Sequence, residues 1–444
     1  MEQLRKQKEK KKRIKKTFTA REIRWDKLDN TAHLFPVIAG ESMSNVYRIS
    51  VILNEKINPE YLQQALNKVL FHFDIFNSRL QQGIFWYYFE TNGKKAPKVV
   101  KEATYPCQYI VPNKNHSYLF RVTYYERRIN LEVFHVLTDG MGGINFLREL
   151  TYQYLRLAHP ELMEQLGDEL SSSTSLNTED SFVKNYKKSM SKGYKTQKAY
   201  IIKGERMKPT ELGVIHGYLD VPTLKKVSRE NGASINEYLV AVFIWSVYQE
   251  CLRGMPSKQP ITCAVPVNLR PYFNSVTTKN FFVMVTAVFE PKEDSYSFEE
   301  VLLAVTSGLR EQITKEHLEQ VFSYNVSNEK NIMLRAVPLF VKGIVIKYVY
   351  YTSARANTST ITNIGNIQVK EEYQPYIENF SAFLTKSRGQ NIKGCICSYG
   401  DTLTFTFSSV LKDTNVQKAF FKKIAADGVP VRIESNGVYN ESVQ

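Results

Sequence analysis

A histidine and an aspartate four residues apart carry the strongest chemical signal in the sequence. Residues 134–140 read FHVLTDG and follow a stretch of alternating apolar residues, so His135 is predicted to end a strand. Histidine is the side chain that most readily acts as a base near neutral pH. The functional interpretation is a general base at a strand end. The structural alternative is a histidine satisfied in the core beside an ordinary Asp-Gly turn.

The turn that follows His135 contains residues that could fix its geometry. Asp139 could fold back onto the turn or bind an arginine, while Gly140, Gly142 and Gly143 permit a sharp turn and leave room for a ligand. None of the other histidines precedes such a turn, and we interpret them as structural. They are His33, His72, His116, His159, His216 and His317.

Hydrophobic periodicity predicts a chain that mixes strands and helices throughout. The predicted strands cover residues 46–53, 84–89, 118–125, 129–135, 261–267, 281–289, 392–399 and 403–410. The predicted helices begin after Pro59 and cover residues 144–157, 235–252, 298–315 and 415–426. We therefore expect an α/β fold.

The periodicity weakens in a Ser/Thr-rich and then lysine-rich region in the middle of the chain. We interpret residues 166–210 as a crossover linker. It would connect an N-terminal subdomain, residues 17–165, to a C-terminal subdomain, residues 211–444. Two such halves suggest a cleft between them.

Composition and charge narrow the function classes. The chain has 444 residues, 43% of them hydrophobic, and a net charge of +15, which is the composition of a folded protein with basic character. Residues 1–16 hold nine basic and two acidic residues, so this tail carries +7 and the rest of the chain 15 − 7 = +8. Such a block is usually a solvated, disordered arm. It lacks interleaved aromatics, so we expect no nucleic-acid function.

The apolar segments are too short or too interrupted to resemble a signal peptide or a membrane-spanning helix, so we predict a cytoplasmic protein. Five dispersed cysteines do not suggest a disulfide framework. Cys395 and Cys397 share one face of a predicted strand and make a poor metal site, so we expect no metal. The sequence contains neither a phosphate-binding loop nor a serine-hydrolase elbow.

The HxxxDG pattern of residues 135–140 resembles the motif of the CoA-dependent acyltransferase superfamily, which includes chloramphenicol acetyltransferase and nonribosomal peptide condensation domains. The resemblance extends over most of residues 17–436 and is strongest to the microbial alcohol acetyltransferase-like branch. Its supporting segments are WDKLD (25–29) with FP (35–36), residues 71–80 with Arg79, VPVNLR (265–270) with NFF (280–282), TNIG (362–365), FF (420–421) and GV (428–429).

This resemblance implies two chloramphenicol-acetyltransferase-like subdomains, each a mixed sheet with flanking helices, and an active-site channel between them. His135 would act as general base, and Asp139 and Gly140 would support it. Asp139 would bind an arginine, with Arg270 as the preferred partner and Arg79 as the second. The candidates for lining the channel are Thr362, Asn363 and Gly365.

Two features depart from the family pattern. Many condensation-type members have two successive histidines, whereas Phe134 replaces the first one here. The DFGWG segment of the plant acyltransferases is absent. Thr362 stands where related enzymes often have serine, so a hydroxyl group is retained. A plain turn between strands remains the alternative for residues 362–365.

The predicted function is an acyl-CoA-dependent O-acyltransferase that transfers an acetyl group directly to an alcohol in a ternary complex. Acyl-CoA would be a cosubstrate, with no bound cofactor. The alternative is a non-catalytic or carrier-protein-dependent condensation-like module, with an acyl carrier protein as partner. A third hypothesis is a lipid acylating enzyme whose residues 1–16 contact anionic membrane. The acceptor and the oligomeric state cannot be read from the sequence.

Overall fold

The computed structural model describes residues 23–188 and 197–439. The predicted tail, residues 1–16, and part of the predicted linker lie outside these ranges. The described chain forms fifteen strands in three sheets. Their bounds are β1 Trp25–Lys27, β2 Val46–Leu53, β3 Ser78–Gln82, β4 Tyr87–Thr91, β5 Val100–Lys101, β6 Phe120–Tyr125, β7 Arg128–Phe134, β8 Gly213–Asp220, β9 Ile261–Asn268, β10 Phe282–Phe289, β11 Ser359–Asn366, β12 Ile377–Leu384, β13 Ile392–Tyr399, β14 Thr402–Ser409 and β15 Val431–Ser435.

Helices alternate with these strands along most of the described chain. Their bounds are α1 Phe35–Ile38, α2 Pro59–Val69, α3 Gly140–Ala158, α4 Pro160–Leu166, α5 Ser181–Lys184, α6 Val221–Glu230, α7 Ile235–Leu252, α8 Arg270–Phe273, α9 Phe298–Gln312, α10 Lys315–Lys330, α11 Ile332–Ala336, α12 Leu339–Ser353 and α13 Asn415–Ala426. Side-chain caps begin several of them: Asn58 caps α2, and Ser234 forms a capping box with Glu237 at α7.

Two large sheets form the framework. One has the strand order β12-β2-β7-β6-β5 and the other β10-β9-β11-β13-β14-β8-β15, while β1-β4-β3 form a small third sheet. Both large sheets are mixed, because β5 runs parallel to β6 and β11 runs parallel to both β9 and β13. Strand β12 comes from the second half of the chain yet pairs antiparallel with β2 of the first half. The two halves are therefore joined by backbone hydrogen bonds, and the predicted subdomain boundaries stay a prediction.

Each large sheet has its own apolar core. The first core contains the inward side of α2 and α3 packed on the five-stranded sheet. The second is centred on α7, whose residues 238–244 are all buried between the seven-stranded sheet and the neighbouring helices α9 and α13. This burial on all sides explains why α7 is apolar around its circumference.

Most of the predicted elements are present. The strands 46–53 and 392–399 and the helices 235–252 and 415–426 have the predicted bounds. The strand predicted at 84–89 was placed too early, since β4 covers Tyr87–Thr91, and α3 begins at Gly140 instead of residue 144. Within the described residues, no helix is long and apolar enough to span a membrane.

Candidate active site

The loop between β7 and α3 presents His135 and Asp139. Strand β7 ends at Phe134, and the backbone N–H of His135 donates to the carbonyl of Asn45. Asp139 is the N-cap of α3, where its Oδ1 accepts from the backbone N–H groups of Met141 and Gly142 at 3.1 and 3.2 Å. A carboxylate at a helix N-terminus is also favoured by the helix dipole. The Asp-Gly pair therefore starts a helix.

Arg270, which follows β9 of the seven-stranded sheet, binds the same carboxylate. Its Nη1 and Nη2 donate to Asp139 Oδ2 and Oδ1 at 2.9 and 3.0 Å, a bidentate pair whose side chains are only 11% and 8% exposed. Phe281 N donates to Oδ2 at 2.9 Å. Arg79, the second candidate partner, instead binds Glu90 through its Nε at 2.8 Å. The pair Asp139–Arg270 thus ties the His135 loop to the segment after β9.

Two glycines of α3 are required by close packing. A Cβ atom at Gly142 would overlap Thr138 Oγ1 and the carbonyl of Thr278. At Gly143 it would lie 2.7 Å from the Tyr47 hydroxyl, which donates to the carbonyl of Asp139 at 2.8 Å. The helix can approach β2 and residue 278 this closely only because both positions lack a side chain.

A hydrogen-bond chain orients the imidazole of His135. Its Nδ1 lies 3.1 Å from Asn280 Oδ1, and Asn280 Nδ2 donates to Asp29 Oδ2 at 2.9 Å. Because the amide nitrogen of Asn280 points at a carboxylate, the amide oxygen faces His135, and Nδ1 must carry the proton. The lone pair of the neutral ring is then on Nε2. Burial raises the pKa of Asp29 to about 7, while its hydrogen bond from Asn280 opposes that shift.

The ring of His135 is half-buried among aromatic side chains. Phe35 stacks on it with ring centroids 4.6 Å apart, and Tyr47 meets it edge-on at 5.1 Å. Burial lowers the pKa of His135 below its ordinary value of 6.5, although the negative charge of Asp139 opposes this. The imidazole is therefore neutral at pH 7, which is the form that can accept a proton.

His135 lines a cavity of about 390 Å³ between the two large sheets. The five-stranded sheet contributes residues of β2 and β12, and the seven-stranded sheet contributes residues of β9, β10, β11 and β13. Asp139, Gly140, Arg270, Thr362 and Asn363 also line it. Such a concave, mainly apolar space with a few polar groups has the form of a small-molecule site.

Gly365 does not line the cavity but shapes the strand that does. Its φ of 89° lies in the left-handed region, and its N–H donates to Asn363 Oδ1 at 2.8 Å. The pairing of β11 with β13 is irregular between Asn363 and Gly365. Residues 362–365 therefore lie within an irregular part of β11, so the alternative of a plain turn between strands is wrong, and Ile364 lies next to Gly140.

No group of three or more histidine, cysteine or acidic side chains in residues 23–188 and 197–439 could hold a metal ion. All five cysteines are free thiols. Cys395 and Cys397 are buried in the first core, and burial raises the pKa of both thiols. Both pack in this core, and Cys395 also lines the cavity.

Sequence reasoning missed the roles of three residues of the site. Asp29 and Asn280 belong to segments that carried the family resemblance, yet nothing in their spacing indicated that they meet at His135. Lys393 was missed entirely, although a lysine inside an apolar strand was a usable signal. It is buried and lines the cavity.

Solved structures with this architecture cover nearly the whole chain. Polyketide synthase associated protein 5 from Mycobacterium tuberculosis aligns with a TM-score of 0.59 and 14% identity over 91% of this chain and 98% of that chain. TRI101 from F. sporotrichioides, in complex with coenzyme A and T-2, aligns with a TM-score of 0.59 and 11% identity over 92% of this chain and 99% of that chain. The first condensation domain of the CDA synthetase aligns with a TM-score of 0.56 and 12% identity, over 92% and 99%.

No protein-family model matches the chain, and no curated protein matches its sequence. At identities of 11 to 14%, the similarity to solved structures establishes the fold. That fold is the one shared by CoA-dependent acyltransferases and condensation domains. The predicted fold class, two subdomains of mixed sheets and helices, is confirmed.

Proposed function

We propose that the protein is an acyl-CoA-dependent O-acyltransferase that transfers an acyl group, with acetyl as the default, to an alcohol. The observation that carries this proposal is the His135–Asn280 hydrogen bond inside the cavity. It fixes one tautomer of a neutral imidazole and directs its basic Nε2 away from Asn280. Acetyltransferases and condensation domains with the same fold support the choice of reaction class.

His135 acts as general base in the proposed reaction. The acceptor hydroxyl gives its proton to Nε2 while its oxygen forms a bond to the thioester carbonyl carbon. The tetrahedral intermediate then collapses, the carbon–sulfur bond breaks, and the coenzyme A thiolate takes the proton from the imidazolium. No covalent bond to the enzyme forms, and the catalyst returns neutral.

Asp139 and Arg270 are positioning residues in this proposal. They fix the loop on which His135 lies and have no role in proton transfer. The negative oxygen of the intermediate needs a donor, and we assign the hydroxyl of Thr362 to it because Thr362 lines the cavity on the strand facing the loop. Thr362→Val tests this assignment. We expect kcat to fall with little change in acceptor KM, whereas an unchanged kcat would remove Thr362 from the mechanism.

The test of the function is release of free thiol from acetyl-CoA by the purified protein, with and without a panel of small alcohols. We expect release that depends on the acceptor and is lost in His135→Ala. The matched control is His72→Ala, because His72 is exposed and lies outside the cavity. Turnover that persists in His135→Ala would overturn the mechanism.

The similarity to condensation domains favours a second candidate, a module that uses acyl groups tethered to a carrier protein. This candidate predicts no thiol release from free acetyl-CoA with any of the small alcohols, and turnover with an acyl-loaded carrier protein. Retention of a carrier protein without any transfer would indicate a binding role instead.

The cellular location of the protein and the contact of residues 1–16 with anionic membrane are also proposals. We place the enzyme in the cytoplasm. Residues 1–16 lie outside the described residues, and their seven net positive charges would give weak attraction to anionic lipid. Flotation with anionic vesicles, compared between the full chain and a chain lacking residues 1–16, tests that contact.

A further inference from the structure

One buried lysine of the seven-stranded sheet lines the same cavity as His135. Lys393 lies on β13 and is 8% exposed. Its neighbours Ile392 and Ile396 pack into the second core, on the opposite side of the sheet, whereas Cys395 shares its side and also lines the cavity. The strand therefore turns the lysine toward the cavity between the sheets.

The ammonium group of Lys393 is bonded to a neutral side chain. Its Nζ donates to the neutral hydroxyl of Ser387, and no carboxylate in residues 23–188 and 197–439 forms an ion pair with it. Arg48, the other deeply buried cation at the cavity wall, pairs with Glu102 and Glu132. A buried charge without a partner is expensive, so its natural partner is an anion that enters the cavity.

The surroundings of Lys393 are also suited to an anion. Arg388 lines the same part of the cavity, with its guanidinium 4.2 Å from the ring centroid of Tyr351. Thr385 and Gln390 add polar side chains there. Residues 385–393 therefore contribute two cationic and several polar residues to the cavity lining and contain no acidic residue.

We propose that this end of the cavity binds the carboxylate of the acceptor, so that the acceptor is a hydroxy carboxylic acid. This inference rests on the proposed acyl transfer and names its substrate class. The phosphates of coenzyme A are the other source of negative charge. They lie beyond the neutral pantetheine arm from the thioester, whereas Lys393 is two residues along β13 from Cys395, which pairs with the cavity residue Thr362 of β11. An anion at Lys393 is therefore assigned to the acceptor, which would bind next to Thr362, the residue assigned as oxyanion donor.

The experiment measures binding by calorimetry, independently of turnover. The probes are omega-hydroxy carboxylates of increasing chain length and the diols of the same length, tested on wild-type protein, Lys393→Met and Lys386→Met. Lys386 is the matched control because it donates to the carbonyl of Pro209 and does not line this cavity. We expect one chain length to bind wild type and Lys386→Met roughly 10- to 100-fold more tightly than its diol, and this preference to vanish in Lys393→Met.

A second measurement needs no variant. Burial lowers the pKa of Lys393 to about 8, so the carboxylate preference of wild type should fall as the pH rises through 8, when the amine becomes neutral. Nearby groups do not produce this change. Burial raises the pKa of Cys107 and of Tyr350 and lowers that of His135, and Arg388 contributes a fixed charge.

The outcomes separate this inference from the function. Equal binding of carboxylates and diols by wild type, or an unchanged preference in Lys393→Met, would overturn the subsite even if the enzyme transfers acetyl groups. Loss of coenzyme A affinity in Lys393→Met, with carboxylate binding intact, would assign the lysine to phosphate and also overturn it. A carboxylate preference without any turnover would retain the subsite and reject the transfer function.

Discussion

The two charged regions of the cavity differ in how fully their polar atoms are paired. At the His135 loop, the carboxylate of Asp139 accepts five hydrogen bonds, two of them from Arg270. Arg270 also donates to the carbonyls of Thr277 and Lys279. Neither group has capacity left for a ligand. Lys393, on the seven-stranded sheet, has one neutral partner and, within the described part of the chain, no counter-ion.

This difference distinguishes residues that hold the site from residues that face a substrate. A saturated ion pair contributes geometry, because any ligand would have to displace bonds that already exist. A charge without a counter-ion, or a ring nitrogen without a hydrogen-bond partner, is stabilised only when a ligand binds. His135 belongs to both classes, since its Nδ1 is held by Asn280 while Nε2 is available for a ligand.

The largest effect is expected from removing the proposed general base. His135→Ala should lower kcat for acyl transfer roughly 10²- to 10⁴-fold, because the general base is removed while the cavity and the Asp139–Arg270 ion pair remain. The free energy of unfolding should change little beyond the loss of ring packing against Phe35. Steady-state kinetics with acetyl-CoA and a chemical denaturation curve check both statements, with His72→Ala as reference.

The second prediction tests whether the saturated pair is structural. Asp139→Ala leaves Arg270 buried without its partner and should cost about 3–5 kcal/mol of stability. Arg79→Ala breaks the more exposed pair with Glu90 and should cost about 1 kcal/mol or less. Denaturation midpoints of the two variants measure the contrast. Equal losses would show that burial of the Asp139–Arg270 pair has no special consequence.

The third prediction concerns the close approach behind Asp139. Gly142→Ala should destabilise the protein by about 1–3 kcal/mol and slow turnover, because the new methyl group displaces Thr138 or residue 278 and shifts the loop. Gly308→Ala in α9 is the control, since its Cβ would meet nothing within 4 Å. That substitution should be neutral or stabilise by up to about 1 kcal/mol. Similar behaviour of the two variants would contradict the packing argument.

The sequence predicted elements whose signals are local. Helix α7 was found because a long apolar run follows Ser234, and β13 because its apolar residues form a short bounded run. Strand β12 was missed, although it completes the sheet beside β2. Its partner is more than 300 positions away in the chain, and no periodicity within Ile377–Leu384 specifies a pairing at that separation.

The residues of the site were likewise predicted only where their sequence signals are local. His135 and Asp139 lie in one short segment, so a motif could identify them together. Arg270 came from the resemblance alone. The bond between Asn280 and His135 depends on how the two large sheets meet, which is a property of tertiary packing. The absence of a counter-ion at Lys393 is likewise visible only once every neighbour has been placed.

The smallest expected effect is that of the Lys393 charge on the pKa of His135. Burial lowers the pKa of His135, and the positive charge of Lys393 lowers it further, while Asp139 acts in the opposite direction. The rate should fall on the acidic side as the imidazole becomes protonated. For wild type, this fall should occur below the ordinary histidine value of about 6.5.

Lys393→Met removes the positive charge, so the pKa of His135 should rise and the acidic limb of kcat/KM should move toward higher pH. The measurement uses a neutral alcohol as acceptor, because a carboxylate would add its own dependence on Lys393. Lys386→Met should leave the limb where it is, since its amine lies outside this cavity. If the acidic limb does not move in Lys393→Met, the charge of Lys393 has no measurable effect on the pKa of His135. The role of the lysine would then be limited to substrate binding.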